Sequence, residues 1–339
     1  MVGGAEAQFR NSPLTCSSVS SPPYAHSVTT IEAVCGDITT VAADVVVNPA
    51  HHALRGSDGG VDHAIHAAGG PTILLDAIER YPDGLASGDA GWTTAGDLPS
   101  RWVVHTVVPH VQEAHGGRRL LEACYRSALQ LADDLGARTV AVPLLGAGSL
   151  GWAARDSLAA ALDAVAGSDL AVERVLLVTT EDTHRAAESA LFQATPLRIL
   201  QAVRFLHRRG YHRLRATPGM SASGMYWRVT IASTEDTDPN HTVFYSTGGL
   251  TEFAGGRVDV ATSPRQAADL ILAALPHLEP TADDPAYAQW LEGLMQLAER
   301  EHALPVSYAD YFDHEQGWEI GWCSGLRYPE PPAPASQRA

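Results

Sequence analysis

Lysine is absent from the 339-residue sequence, so all 23 basic side chains are arginines. That absence removes every chemistry needing a side-chain amine, from Schiff-base formation to the phosphate-gripping lysine of P-loop enzymes. Cysteine is scarce. The four present (Cys16, Cys35, Cys124, Cys323) lie far apart with no CxxC spacing, which reads as reduced thiols rather than a disulfide framework or a zinc site. No apolar run reaches the roughly 18 residues of a membrane span, and the start shows no signal-like apolar stretch. Positive charge is also short: 39 acidic residues against 23 basic leave a formal charge of −16, with neither half of the chain basic. A protein that coats nucleic-acid phosphates needs the opposite balance, although a local arginine-lined groove is still allowed. The expectation is a cytoplasmic protein that neither enters a membrane nor binds nucleic acid through bulk charge.

What is present is a change of grammar along the chain. Residues 1–27 are rich in Ser, Pro and Gly and read as a disordered leader; residues 329–339 read as a flexible tail. From about Thr29 to Gln193, short β-branched runs alternate with Ala/Leu-rich helical stretches. Strands are predicted at Thr30–Val34, Val45–Asn48, Trp102–Thr106, Thr139–Leu144 and Arg174–Thr179. Helices are predicted at Val61–Ala68, Thr72–Arg80, Gly117–Asp134, Arg155–Ala166 and Thr183–Phe192. Continuous apolar strands separated by helices indicate an α/β sheet covered on both faces. Pro196 marks the expected break. Beyond it come a helix (Leu197–Arg209), strand-like runs at Met225–Ala232 and Thr242–Tyr245 around the acidic stretch Ser233–His241, helices at Pro264–Leu275 and Ala286–Arg300, and aromatic-rich Tyr308–Trp322. That order suggests a smaller α+β domain over 197–328, after a first domain over 28–195.

The most visible motif is Gly146-Ala147-Gly148-Ser149-Leu150-Gly151, which follows an apolar strand and precedes a helix. Its GxGxxG form suits a pyrophosphate, and Glu181-Asp182 after the next strand stands where a dinucleotide fold places its ribose-binding acid. A purely structural strand-to-helix turn is about as plausible. Against the dinucleotide reading, the unit would start only near residue 139 and leave the α/β region upstream unexplained. A second glycine loop, Gly56–Asp62, also follows an apolar strand and opens a helix. Two such loops on one sheet could grip a diphosphate from both sides.

These residues resemble the macro domain family, specifically its MacroD-type ADP-ribosyl hydrolases. The resemblance is carried by Gly36–Thr39, Val47–His51, Gly59–His66, Leu98-Pro99, Val103–Val107, Leu121-Cys124-Tyr125, Gly146–Gly151 and Val175–Thr179, over residues 29–193. It implies a three-layer α/β/α fold with a mixed sheet, binding ADP-ribose at the strand C-terminal ends. By the same resemblance, Asp37 accepts the adenine amino group with the Ile38 backbone nearby, and Asn48 lies near the distal ribose. Gly59, Gly60 and Val61 with Gly146, Ala147, Gly148, Ser149, Leu150 and Gly151 cradle the diphosphate. Asp62 activates or positions water at the anomeric carbon. The implied activity is hydrolysis of ADP-ribose conjugates, either mono-ADP-ribosylated acceptors or O-acetyl-ADP-ribose, with no cofactor. A non-catalytic ADP-ribose reader is the rival.

The chain departs from the family at several places. His51 replaces the second asparagine of VNAAN, a position that helps hold the distal ribose, and the step from His51 to Asp62 is one residue longer than usual. Leu150 and Thr180 stand where aromatics are common. His66 and His105 read as interior histidines. His51-His52 could suggest a metal, but neighbours on a loop are expected to point apart and no third ligand sits at a useful spacing, so no metal is expected. Beyond residue 197 nothing is recognised. There Arg204 and Arg208 share a helical face that could meet phosphate or an acidic partner, or simply be solvated. A macro domain followed by a second domain is also the layout of DNA ADP-ribosyl glycohydrolase antitoxins. On that analogy a protein could dock on the C-terminal domain, and nucleic acid enters only as a modified acceptor.

Overall fold

A computed structural model describes residues 29–114, 116–166, 168–221, 224–231, 250–253, 256–275, 278–301 and 332. The expected leader, Ser233–His241, Thr242–Tyr245, Tyr308–Trp322 and all of the tail but residue 332 lie outside these.

The first part is a six-stranded mixed sheet. Its strands are β1 (Thr30–Cys35), β2 (Val45–Ala50), β3 (Ala90–Thr94), β4 (Trp102–Val107), β5 (Thr139–Pro143) and β6 (Arg174–Thr179), in the order β1-β6-β5-β2-β4-β3. All neighbours are parallel except the edge strand β3, which runs antiparallel to β4. Side chains alternate between the two faces as the pleat requires. Val45 and Val47 of β2, Val104 of β4, and Val140 and Val142 of β5 enter a core with α3 (Arg118–Asp134) and α4 (Ala154–Ala166). Val46, Val103 and Ala141 face the other way, onto Ile65 of α1 (Gly60–Gly69) and Ile73 of α2 (Pro71–Arg80). Helix, sheet and helix make three layers. Both faces of the sheet are dry, which is why its central strands read as unbroken apolar runs.

The five strands and first four helices expected before Pro196 are found within a residue or two. Strand β3 was not foreseen: Ala90-Gly91-Trp92-Thr93-Thr94 is short and contains glycine, and it holds its place as an edge. The larger difference lies at Pro196. A single helix, α5, runs from Glu181 to His207 through the position where the sequence suggested a break. An interior proline costs about 3 kcal/mol in a helix. Burial holds the helix through it. Ala187, Ala194, Arg198, Ala202 and Leu206 are all buried at helical spacing, so one stripe continues from end to end.

Ala187 belongs to the sheet's core, whereas Ile199, Val203 and Leu206 enter a second core with Ile271 of α6 (Pro264–Ala274) and Tyr287, Leu291 and Met295 of α7 (Pro285–Glu301). Two antiparallel pairs accompany it, β7 (Leu214–Ser221) with β8 (Gly224–Ile231) and β9 (Leu250–Phe253) with β10 (Gly256–Asp259). The Tyr287 hydroxyl accepts the Ala216 amide at 2.7 Å and donates to its carbonyl at 3.2 Å, tying β7 to α7. Arg204 and Arg208 meet an acid of this chain: both reach Glu292 on α7, at 3.5 and 3.1 Å. Buried Arg215 pairs with buried Asp284. No helix among the described residues is long and apolar enough to cross a membrane.

Candidate functional site

Strands β5 and β2 are paired only at Val45–Val140 and Val46–Ala141, so their C-terminal ends diverge. The chain leaves β2 toward α1 and β3 on one side, and leaves β5 toward α4 and β6 on the other. Adjacent parallel strands that depart in opposite directions open a crevice at their carboxyl ends. Both glycine loops flank this one.

In the loop after β5, Gly146 adopts φ +75°, and a Cβ there would fall 2.4 Å from Trp152 Cδ1. Only glycine lets the backbone lie on that indole. The loop is closed by Trp152 N–H to Gly146 O and Gly151 N–H to Gly148 O, both 3.1 Å. Among the described residues, the amides of Gly148, Ser149 and Leu150 meet no backbone acceptor. A Cβ on Gly148 would meet nothing within 4 Å. Behind the loop, the buried Tyr125 hydroxyl accepts the Leu145 amide at 2.8 Å and donates to Ser157 Oγ at 2.6 Å. Ser157 Oγ in turn donates to Leu145 O at 2.9 Å. Trp152 is buried, donates Nε1–H to Pro109 O at 2.9 Å, and supports the loop from beneath. Leu150 packs partly against the same core.

The loop after β2 leads to the N-terminus of α1 through Gly59, its cap, and Gly60 at φ +72°. Ser57 Oγ donates to Gly59 O at 2.9 Å, and His63 Nδ1 faces Ser57 O at 3.2 Å, which pins the loop to its helix. Asp37 caps the turn Ile38–Thr40 by accepting Thr39 N–H and Oγ1–H at 2.9 and 2.8 Å. It is exposed, while Ile38 is buried against the α1 face.

Asn48 and Asp62 are brought together. Asn48 Nδ2 donates to Asp62 Oδ1 at 2.6 Å, both residues being buried. His105 lies opposite Asn48 in the β2–β4 register, and its Nδ1 sits 3.0 Å from the same Nδ2. Its Nε2 meets Thr93 Oγ1 at 2.8 Å, and that hydroxyl donates to Thr94 O at 3.0 Å. The chain of donors fixes one arrangement. Thr93 spends its hydrogen on Thr94, so His105 Nε2 must donate to Thr93 Oγ1, leaving Nδ1 to accept from Asn48. Both Asn48 amide hydrogens are then used, and its orientation is set. Burial, reinforced by His66 and opposed by Asp76, pushes the His105 pKa down to about 3. The ring is a neutral, permanent acceptor.

Around this network three buried atoms have no hydrogen-bond partner among the described residues: Asn48 Oδ1, Asp62 Oδ2 and His66 Nε2. His66 stands one turn after Asp62, its Nε2 3.5 Å from Asp62 Oδ1. Burial lowers its pKa, with the Asp62 charge opposing. Orphaned buried polar atoms are costly, and three at one spot mark a place built for something that hydrogen-bonds there. His66 and His105, read from sequence as interior histidines, both belong to this network. The i, i+4 spacing of Asp62 and His66 was the available signal.

His51 is not brought to Asp62. It is exposed, and its Nε2 faces His52 Nδ1 at 3.2 Å, so the two rings meet edge-on rather than pointing apart as expected. Leu54, buried at φ +54°, closes this turn by donating its amide to His51 O at 2.9 Å. Gly84 fixes it from outside. A Cβ there would lie 2.2 Å from His52 O, the carbonyl that accepts the Leu85 amide at 2.9 Å. Thr180, where the family often has an aromatic, caps α5 through Thr183.

A three-layer fold with two glycine loops at a switch point and a buried Asn48–Asp62 pair defines an α/β domain with a crevice at the carboxyl ends of β2 and β5. The family model for the Macro domain matches residues 47–162. A macro domain-containing protein from the sno 5′ region of Streptomyces nogalater is 47% identical over 161 residues, which cover 46% of this chain and 88% of that protein. O-acetyl-ADP-ribose deacetylase 1 of Pantoea vagans is 41% identical over 138 residues, 40% of this chain and 80% of that one. Among solved structures, the Oceanobacillus iheyensis macrodomain with ADP is 30% identical with a TM-score of 0.44, covering 46% of this chain and 87% of that chain. The chain belongs to the macro domain family.

Proposed function

We propose that the chain hydrolyses ADP-ribose conjugates, mono-ADP-ribosylated acceptors or O-acetyl-ADP-ribose, in the crevice between the two glycine loops. The observation that carries the reading is the set of orphaned buried atoms around Asp62. Asp62 Oδ1 is held by Asn48, and Oδ2 is left to accept from a water. Such a water, donating one O–H to the carboxylate, keeps a lone pair for the anomeric carbon of the bound sugar. On a mono-ADP-ribosylated acceptor the water oxygen bonds to the anomeric carbon as the bond to the acceptor breaks; Asp62 takes the water's proton as general base, and the acceptor leaves with the bonding pair, taking up a proton where it is basic enough to need one. On O-acetyl-ADP-ribose the same water adds to the acetyl carbonyl carbon instead, and the ester C–O bond breaks to give acetate and the free ribose hydroxyl. Free amides on Gly148, Ser149 and Leu150, with those opening α1, suit the diphosphate. A relative 41% identical being named an O-acetyl-ADP-ribose deacetylase supports the reading.

One observation favours a second reading, a non-catalytic ADP-ribose reader. His51 is exposed and its ring meets His52, where the family pattern has an asparagine that the resemblance assigns to the distal ribose. The deciding experiment measures ADP-ribose release from O-acetyl-ADP-ribose and from acceptors modified on carboxylate, arginine and nucleic-acid base. Asp62→Asn should slow release by a factor of about 100 or more while ADP-ribose still binds. No release by the wild-type protein from any of these, with ADP-ribose binding intact, would transfer the conclusion to the reader.

A further inference from the structure

Next to the crevice is a cavity of about 440 Å³ whose walls include Arg55, Asp58, His66, Pro71 and Leu74. None of the residues assigned to the diphosphate lines it. His66 joins it to the reacting group: the imidazole lines the cavity, and its buried, unpartnered Nε2 lies 3.5 Å from Asp62 Oδ1. Gly56 closes over the same ring, since a Cβ there would sit 3.6 Å from it. The cavity therefore begins one side chain away from the bond that Asp62 addresses.

Its chemistry is mixed. Arg55 leans its guanidinium on the carbonyls of Tyr81 and Pro82, at 3.5 and 3.3 Å, and Asp58 brings a carboxylate, while Pro71 and Leu74 supply an apolar floor. On the same helix, Ile78 follows Leu74 by four residues and Leu75 by three, spacings that put neighbours on one face. Leu75 is 63% exposed and Ile78 43% exposed, two of the three large hydrophobic side chains left exposed among the described residues. Polar walls with an apolar ledge suit a polypeptide, which offers backbone and side chains together, whereas an acetyl group would use little of the space.

We infer that this cavity and the Leu74–Leu75–Ile78 ledge form an acceptor subsite, which holds the polypeptide segment carrying the ADP-ribose and seats an apolar residue beside the modified one. The inference rests on the hydrolase or reader assignment only for where the sugar lies. It makes α2 the part of the chain that distinguishes a modified protein from free ADP-ribose.

The test uses the full chain, with ADP-ribose joined through a non-hydrolysable linker to two peptides, one with leucines and one with glycines beside the modified position. Calorimetry compares each peptide with free ADP-ribose on wild type and on Leu75→Asp/Ile78→Asp, whose exposed positions spare the core. The leucine peptide should bind wild type about tenfold more tightly than ADP-ribose, the effect expected of burying one leucine-sized contact. The double variant should erase that advantage while O-acetyl-ADP-ribose turnover and ADP-ribose binding stay unchanged. Equal affinity of the two peptides for wild type overturns the inference, as does an advantage that survives the double variant. Concentration-dependent self-association abolished by the same variant, with no peptide preference, would assign the ledge to a second copy and also overturn it. Loss of turnover on every substrate with the leucine preference intact would refute hydrolysis alone and leave the subsite standing.

Discussion

The buried chain from Thr93 through His105 and Asn48 to Asp62 makes a quantitative statement about pH. In the fold His105 titrates at about 3, against an ordinary 6.5. Between those values the unfolded chain binds a proton that the folded chain refuses, so stability is full above the ordinary pKa and falls as pH drops below it. The physical cause is twofold. A charged ring would be desolvated, and a proton on Nδ1 would face the Asn48 amide donor at 3.0 Å. At about 1.4 kcal/mol per pH unit, lowering pH from 8 to 5 costs about 2 kcal/mol at this one residue. Burial also lowers His66 and His207, which adds loss of the same sign. Urea unfolding of wild type and His105→Gln at both pH values isolates the His105 contribution as a difference of differences. The variant should start less stable, since one Asn48 hydrogen loses its acceptor, yet lose about 2 kcal/mol less on acidification. Identical losses in the two proteins would refute the neutral assignment of His105, and with it the fixed orientation of Asn48.

Three further changes probe the supports of the site. Tyr125→Phe leaves the Leu145 amide buried without its acceptor, so unfolding free energy should drop by about 1–3 kcal/mol and calorimetry should show weaker ADP-ribose binding at the adjoining loop. Gly146→Ala forces a side chain into Trp152 at positive φ. A loss of about 2–4 kcal/mol, with a changed indole emission spectrum, is the expected result. Arg198→Met removes bonds to Leu162 O, Asp163 and Gln201, and the melt should shift down by the equivalent of about 2 kcal/mol without altering ADP-ribose affinity.

The parallel strands and their helices were legible because burial on both faces writes itself as unbroken Val/Leu runs and amphipathic stretches. Asn48, Asp62 and both glycine loops were legible as motifs. What the sequence concealed is what depends on register. His105 meets Asn48 only once β4 is laid beside β2, and Thr93 joins them from an edge strand too short to announce itself. Pro196 was read as a break because proline is judged locally. The stripe from Ala187 to Leu206 outweighs that local cost only when both cores are in view. His51 shows the reverse case. Its motif position implied a contact with the ribose, and only the fold shows the turn closed by Leu54 and Gly84 in which its ring meets His52.

Helix α5 has 27 residues and so spans about 40 Å. One end is embedded among the sheet's helices and the other in the core of α6 and α7, with Arg198 bolted to Leu162 and Asp163 near its middle. It is a member of both cores. Asp163, which Arg198 holds from α5, also holds Arg118 at the first residue of α3 at 2.9 Å. Helix α3 carries Tyr125, whose hydroxyl braces the glycine loop. The C-terminal core and the glycine loop after β5 are thus joined by an unbroken series of side-chain contacts through Arg198, Asp163, Arg118 and α3.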